Sequence, residues 1–251
     1  MLFRSAAAIN TGVKESNAEF IIISNNDVLY HPNSIEVLVS YLIKNRDVGI
    51  VGPQQFYLDG KWQYSYGNLP GWLLAFKNIF IINTFQHIFN SLIWSKFKFK
   101  KVKEVGYLDG AVLVVRKSAF SQVNGFDEDY FFYTEEADFC YRLKKNNWKI
   151  VHNPNATVTH LRGATTSDSN YFTNIVEKFC SSKSLFCKKH LSRFETKFYV
   201  TSELLNTFIM LITWNLINFF LPDKLKNKAE FKINFFKPQV SQWLIEYKKL
   251  N

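Results

Sequence analysis

Glycine and cysteine are both scarce in this 251-residue sequence, and each scarcity closes off a class of protein. The 10 glycines fall singly, so there is no glycine-rich loop of the kind that wraps phosphates with backbone N–H groups. The three cysteines, Cys140, Cys180 and Cys187, are odd in number and lack CxxC spacing. That argues against a disulfide framework or a zinc site and for a reducing compartment. The opening MLFRSAAAIN carries a positive charge but no apolar run long enough for a signal peptide, so none is expected. Internal repeats and low-complexity tracts are absent as well. Acidic residues are in deficit, 21 against 31 Lys and Arg, which gives a formal charge of +10. Such a balance draws the chain towards something anionic: nucleic acid, anionic lipid or a phosphorylated substrate. No aromatic-basic RNA or DNA module is visible, which makes nucleic acid the weakest of the three.

What is present is a globular composition with a heavy aromatic load. Hydrophobic residues make up 47% and aromatics 17%, with 25 phenylalanines, enough for a real core and for apolar binding surface. Ala6 to Lys14 reads as a helix. Phe20-Ile21-Ile22-Ile23 is an unbroken β-branched run, the pattern of a strand buried on both faces in a parallel sheet. It ends in Ser24-Asn25-Asn26-Asp27, and the carboxyl end of such a strand is where open α/β sheets bind ligands. Pro32 and Asn33 precede an amphipathic helix with Ile35, Leu38, Val39, Leu42 and Ile43 on one stripe. Val48 to Val51 predicts a short strand stopped by Gly52-Pro53. Asp59-Gly60 between two aromatic runs predicts a β-hairpin. Val105 to Val115 predicts a strand interrupted by Asp109-Gly110, where a missing side chain lets something approach the backbone.

The densest stretch is YFFYTEEADFCYR, Tyr130 to Arg142. Thr134 is placed to cap a helix whose first turn carries Glu135 and Glu136. Asp138 stands four residues before Arg142, the spacing at which the two meet on one helix face. Acids at a helix start are also simply what the helix dipole favours, by about 0.3–1 kcal/mol each. Beyond it, Trp148 to His152 and Thr157 to Leu161 predict short extended segments delivering His160, with Arg162 and Gly163 behind. Lys96 to Lys103 alternates lysines with Phe97, Phe99 and Val102. That pattern fits either contact with anionic lipid or an edge strand protected by lysines. From Ser169 the chain reads as helices. Tyr199 to Leu221 approaches bilayer-spanning length, yet Glu203, Asn206, Asn215 and Asn218 favour an interfacial or packing helix. The lysines from Lys224 to Lys237 suit an anionic membrane surface or a solvated face.

In order along the chain, Asn25-Asn26-Asp27, Asp109-Gly110-Ala111, the block Gly125 to Arg142, and His160-Leu161-Arg162-Gly163 resemble family 2 glycosyltransferases. The likeness is nearest to their rhamnosyltransferase-like bacterial branch. It covers about residues 5 to 190, and the long acidic block is its specific part. The resemblance implies a GT-A α/β fold with a mostly parallel sheet over residues 1–168, followed by C-terminal helices over 169–251 that touch membrane. It implies inverting transfer of a sugar from a nucleotide-diphosphate donor to an acceptor hydroxyl. The acceptor would be lipid-linked or polysaccharide, the setting cell-surface polysaccharide synthesis. Localisation would be cytoplasmic, peripheral at the inner face of the plasma membrane. Asp27 and His160 would hold Mn²⁺ or Mg²⁺. Asn25, Asp27, Arg162 and His160 would face the donor diphosphate, and Asp109 and Gly110 the acceptor. Glu136, with Glu135 and Asp138, would form the catalytic group: Glu136 as the base, Glu135 orienting the acceptor and Asp138 in support, fixing Arg142.

Two opposed effects act on Glu136, the helix N-terminus lowering its pKa and desolvation by Phe131, Phe132 and Tyr133 raising it. No residues match the β-α-β unit with which family members begin. The expectation is therefore an incomplete sheet with an exposed edge and weak donor binding by this polypeptide by itself. The alternative reading is a catalytically inactive fragment that only binds membrane or a partner.

Overall fold

The computed structural model describes residues 5–79, 101–130, 133–161, 169–220 and 223–250. The elements in chain order are α1 (Ser5–Glu15), β1 (Phe20–Ser24), β2 (Val28–Tyr30), α2 (Ser34–Lys44), β3 (Val48–Phe56), β4 (Trp62–Gln63), β5 (Tyr66–Gly67) and α3 (Trp72–Ile79). They continue with β6 (Lys103–Glu104), β7 (Tyr107–Leu108), β8 (Val112–Arg116), α4 (Lys117–Gln122), α5 (Glu135–Lys145), β9 (Lys149–His160), α6 (Ser169–His190), α7 (Arg193–Phe220) and α8 (Asp223–Lys248). Contacts divide the chain into two units, Met1–Leu69 with Phe89–Thr165, and Pro70–Ile88 with Thr166–Asn251.

The first unit is a sheet in the order β1-β8-β3-β9-β2. Strands β1, β3 and β9 run one way, and β8 and β2 run against them. Alternation along the strands sends side chains to two cores. Ile50, Leu113, Val115 and Ile150 meet Ala6 and Val13 of α1, Phe120 of α4 and Phe139 and Leu143 of α5. Val48, Val51, Val114 and Val151 meet Leu38 and Leu42 of α2 on the other face. Helices thus cover both sides, which is why the central strands β3 and β8 are buried along almost their whole length.

Three elements depart from the sequence reading, each for a local reason. β1 is only half-buried, with Ile22 40% exposed, because it borders the sheet and pairs with β8 alone among the described residues. β3 does not stop at Gly52-Pro53 but runs on to Phe56. Its pairing with β8 covers only Ile50 and Val51, so Pro53 falls where the strand has a neighbour, β9, on one side. A proline with no N–H to donate is tolerated there. The two segments expected at 148–152 and 157–161 are one strand, β9, with irregular pairing near Pro53. The hairpin forms where Asp59-Gly60 places it, with Gly60 at φ 75 and Phe56 opposite Trp62. The lysine-rich run lies mostly outside the described residues.

The second unit is helical. Its interior holds Tyr199, Phe186, Trp243 and Cys187, together with Glu246, whose carboxylate takes Lys188 at 2.9 Å and Lys249 at 2.7 Å. The sequence reading leaves α3 in the first domain, whereas it packs on α7 in this unit. Along α7 the buried residues include Thr196, Ser202, Glu203 and Thr207, while Leu205, Phe208, Ile212, Leu216, Phe219 and Phe220 are exposed. Among the described residues α7 is the helix long and apolar enough to cross a membrane, by length and composition.

Candidate functional site

The site is built in the first unit, where three turns meet at one end of the sheet. The turn after β1 is tied to the next by the N–H of Asn25, which donates to the carbonyl of Ala111 at 3.0 Å. Asp27 is tied to β9, since its carbonyl accepts the N–H of Leu161 at 3.0 Å and Val28 pairs with His160. That register sets the Asp27 carboxylate beside an imidazole almost out of solvent, with His160 Nε2 3.3 Å from Asp27 Oδ1.

A chain of contacts leads away from this pair. His160 Nδ1 faces Gln63 Oε1 at 3.1 Å and Gln55 Oε1 at 3.3 Å. The amide nitrogen of Gln55 donates to Asp109 Oδ1 at 3.3 Å, and the same oxygen accepts the N–H of Ala111 at 3.1 Å, closing the Asp109-Gly110-Ala111 turn. Gly110 borders Glu136. A methyl group on Gly110 would stand 3.9 Å from the Glu136 carboxyl carbon, so the carboxyl lies directly over the turn. Asn25, Asp27, His160, Asp109, Gly110 and Glu136 are therefore joined by contact, although they come from four separated stretches of sequence.

Glu136 is held in an unusual state. Its Oε2 is shut off from solvent and has no hydrogen-bond partner among the described residues. Burial, then the adjacent Glu135, then Asp109 push its pKa well above the ordinary carboxylate value. Of the two opposed effects read from the sequence, desolvation prevails over the helix terminus. Phe131 and Phe132, expected to supply it, lie outside the described residues, as does Arg162.

The entry to α5 is strained. Thr134 was expected to cap the helix through its side chain, and it makes no such bond. Instead Tyr133 (φ 62) and Thr134 (φ 71) are both left-handed. That conformation is costly for a side chain branched at Cβ, and such outliers gather at functional sites. The consequence here is positional: the double kink sets the first turn of α5 so that Glu136 falls over Gly110.

Asp138 has a different job from the two glutamates with which it was grouped. It is fully buried, accepting Arg142 Nε at 2.7 Å and the Tyr130 hydroxyl at 3.2 Å. Arg142 in turn donates through Nη1 to the carbonyls of Val123, at 2.5 Å, and Gly125, at 2.8 Å. Asp138 thereby fastens α5 to the turn before it, through the pairing with Arg142 that their spacing predicts. From α1, the side chain of Asn10 grips the same turn, donating to the Phe126 carbonyl and accepting the Phe126 N–H, each at 2.8 Å.

Sequence reading missed Gln55, Gln63 and Asn10. The available signal was polar residues inside otherwise apolar elements, for Gln54-Gln55 directly after a β-branched strand.

As a cation site the Asp27–His160 pair fits a hard or borderline divalent ion. Two cis ligands of an octahedral ion at about 2.1 Å are about 3 Å apart, close to the separation seen. Among the described residues no third His, Cys, Asp or Glu completes a cluster. A Mg²⁺-type ion is commonly held by one or two protein ligands, with substrate phosphates and water filling the rest.

Comparison with known proteins bears on this site. The sequence profile of the "glycosyltransferase like family 2" matches residues 3–175. A 158-residue stretch is 31% identical to N-acetylglucosaminyl-diphospho-decaprenol L-rhamnosyltransferase of Mycobacterium tuberculosis, covering 59% of this chain and 48% of that protein. Fifty residues are 40% identical to rhamnosyltransferase WbbL of Escherichia coli, covering 20% of this chain and 19% of that one. The chain thus spans about half the length of the mycobacterial relative. Among solved structures, the mannosyltransferase PcManGT of Pyrobaculum calidifontis in complex with GDP-Man and Mn²⁺ superposes with a TM-score of 0.53 at 9% identity, over 97% of this chain and 66% of that one. The fold is that of the GT-A enzymes.

Proposed function

The chain belongs to the glycosyltransferase family 2-like proteins, and from that premise we propose that it transfers a sugar from a nucleotide-diphosphate donor to an acceptor hydroxyl, with inversion at the anomeric carbon. The observation that carries the reading is the unbroken line of contacts from Asp27 through His160, Gln55 and Asp109 to the turn beneath Glu136. One end of that line suits the leaving diphosphate and the other suits the attacking hydroxyl.

At the first end, Asp27 and His160 would hold Mn²⁺ or Mg²⁺, with Asn25 beside them. When bound, the ion supplies Lewis-acid neutralisation of the charge that grows on the diphosphate. At the second end, Gly110 leaves room for substrate against the backbone and Glu136 takes the hydroxyl proton as the acceptor oxygen attacks. A carboxylate with an ordinary pKa is a feeble base at neutral pH, and the raised value of Glu136 brings it towards the working range. Glu135 contributes by keeping that pKa high, and Asp109 by orienting the turn that faces the acceptor.

The setting we propose is the cytoplasmic face of the plasma membrane, in cell-surface polysaccharide synthesis. By its name, the mycobacterial relative acts on a sugar diphosphate carried by decaprenol, which supports a lipid-linked acceptor here. The exposed apolar residues of α7 support contact with the membrane.

The test is transfer of labelled sugar from dTDP-, UDP- and GDP-linked donors to lipid-linked acceptors in membranes containing the chain. Divalent-cation-dependent product that vanishes in Glu136→Gln supports the reading. Product at an undiminished rate in that variant removes Glu136 from the base role. No product with any donor favours the inactive-fragment alternative.

A further inference from the structure

The two glutamines beside His160 fix more than its position. An amide side chain can be turned either way, but here the partners settle the choice. The far end of Gln55 meets Asp109 Oδ1, which also accepts the Ala111 N–H, so the Gln55 nitrogen must face Asp109 and its oxygen must face His160. Gln63 donates from its nitrogen to the His160 carbonyl at 3.4 Å, which leaves its oxygen turned to the imidazole as well. Two oxygens that can only accept therefore converge on Nδ1. Nδ1 must carry a hydrogen.

The other ring nitrogen then points at a carboxylate. In the neutral ring Nε2 offers a lone pair 3.3 Å from Asp27 Oδ1, and two acceptors at that distance call for a positive charge between them. We propose that Gln55 and Gln63 are positioning residues that lock His160 in the Nδ1–H form, so that Nε2 and Asp27 together present two ligands to one divalent cation. The inference deepens the cation reading given above and rests on it. Which nitrogen of a histidine binds a metal is commonly set by the hydrogen bond its other nitrogen makes. Here the task is shared by two amides, from β3 and β4, brought together by the Asp59-Gly60 hairpin that pairs Gln55 with Gln63. Because Gln55 also holds Asp109, a single amide links the cation end of the site to the turn under Glu136.

Nitrogen-15 NMR on histidine-labelled full chain, metal-free and at a pH where imidazoles are neutral, reads the tautomer directly. Mn²⁺ affinity, from the electron paramagnetic resonance of the free ion, reads its consequence. We expect His160 to show a protonated Nδ1 and a bare Nε2. In the double variant Gln55→Leu, Gln63→Leu that preference disappears and Mn²⁺ affinity falls about 10–100-fold. Gln55→Leu alone, which keeps the Gln63 oxygen facing Nδ1, retains the Nδ1–H form. A wild-type spectrum with the hydrogen on Nε2 overturns the proposal whatever the metal does, and needs no variant to fold. The expected tautomer with equal Mn²⁺ affinity in wild type and double variant overturns the positioning role while leaving the cation site standing. No Mn²⁺ binding by the wild-type chain contradicts the cation reading itself and takes the proposal with it.

Discussion

Two acids stand two residues apart in the first turns of α5 and live under opposite conditions. Asp138 is buried with partners: an arginine, a tyrosine hydroxyl and, through the arginine, two backbone carbonyls. Glu136 is half-buried, with one oxygen shut off from solvent and left over, next to another glutamate and an aspartate. One acid is spent on holding the fold, and the other keeps an oxygen unsatisfied among the described residues. An unsatisfied carboxyl costs stability, so it persists where something else is gained by it. That difference separates an acid that holds the fold from the one we propose as the base, and it is open to attack from both sides.

The largest effect should come from Glu136→Gln. We expect transfer to fall by about 10²–10⁴-fold, the usual contribution of a general base. The same change should stabilise the fold. Because the folded state keeps Glu136 protonated above the unfolded value of 4.5, the wild type loses stability as pH rises from 4.5 through the raised folded pKa. Thermal unfolding should therefore show the variant ahead of wild type at neutral pH and level with it below pH 4. A variant less stable than wild type at pH 7 would break the comparison.

Asp138→Ala is the mirror experiment. Removing one partner from a buried ion pair costs about 3–5 kcal/mol, which lowers the midpoint of thermal unfolding by about 6–20 °C. Well below that midpoint the remaining folded enzyme should keep most of its turnover. A large loss of turnover in protein shown to be folded would return Asp138 to the catalytic group.

His152 gives a smaller effect and a control away from the contact line. It is fully buried on β9 against the Tyr66 ring, and burial followed by the nearby Lys103 holds its pKa down to about 3. Its charged form is thus favoured in the unfolded chain. Stability is present above the unfolded value of 6.5 and is lost as pH falls towards about 3. By pH 5 the loss is about 2 kcal/mol. Urea titrations of His152→Leu should show a flatter acid limb, with the Glu136 effects unchanged.

Glu135→Gln should do least to the plateau rate, within about tenfold, since it leaves the base in place. It removes the second-largest cause of the raised Glu136 pKa, so the acid limb of kcat/KM against pH should move down, towards the ordinary carboxylate range. An acid limb that stays put would show burial alone sets Glu136.

Much of this was written locally in the sequence. The Asp59-Gly60 hairpin, the β1 run ending at Asp27 and the acidic start of α5 all follow from residues within a few positions of one another. The remainder depends on partners far away in sequence. Gln55 and Gln63 reach His160 across 105 and 97 residues, and Asn10 reaches Phe126 across 116. No periodicity encodes such meetings. Thr134 stands at the N-cap, as its residue type predicts, but residue type does not reveal φ, and here the helix is entered through a left-handed turn with no side-chain cap bond. The exposure of β1 and the continuation of β3 through Pro53 likewise turn on which neighbours a strand has, a property of the sheet and not of the strand.

The account stands on Asp27 and His160 sharing one cation in front of the turn that carries Gly110. Crystals of the chain soaked in MnCl₂, with an anomalous difference map at the manganese edge, test this most directly. We predict a single strong peak about 2.1–2.3 Å from Asp27 Oδ1 and His160 Nε2, on the side of the sheet where Glu136 lies. A peak elsewhere, or none at saturating Mn²⁺, would contradict it.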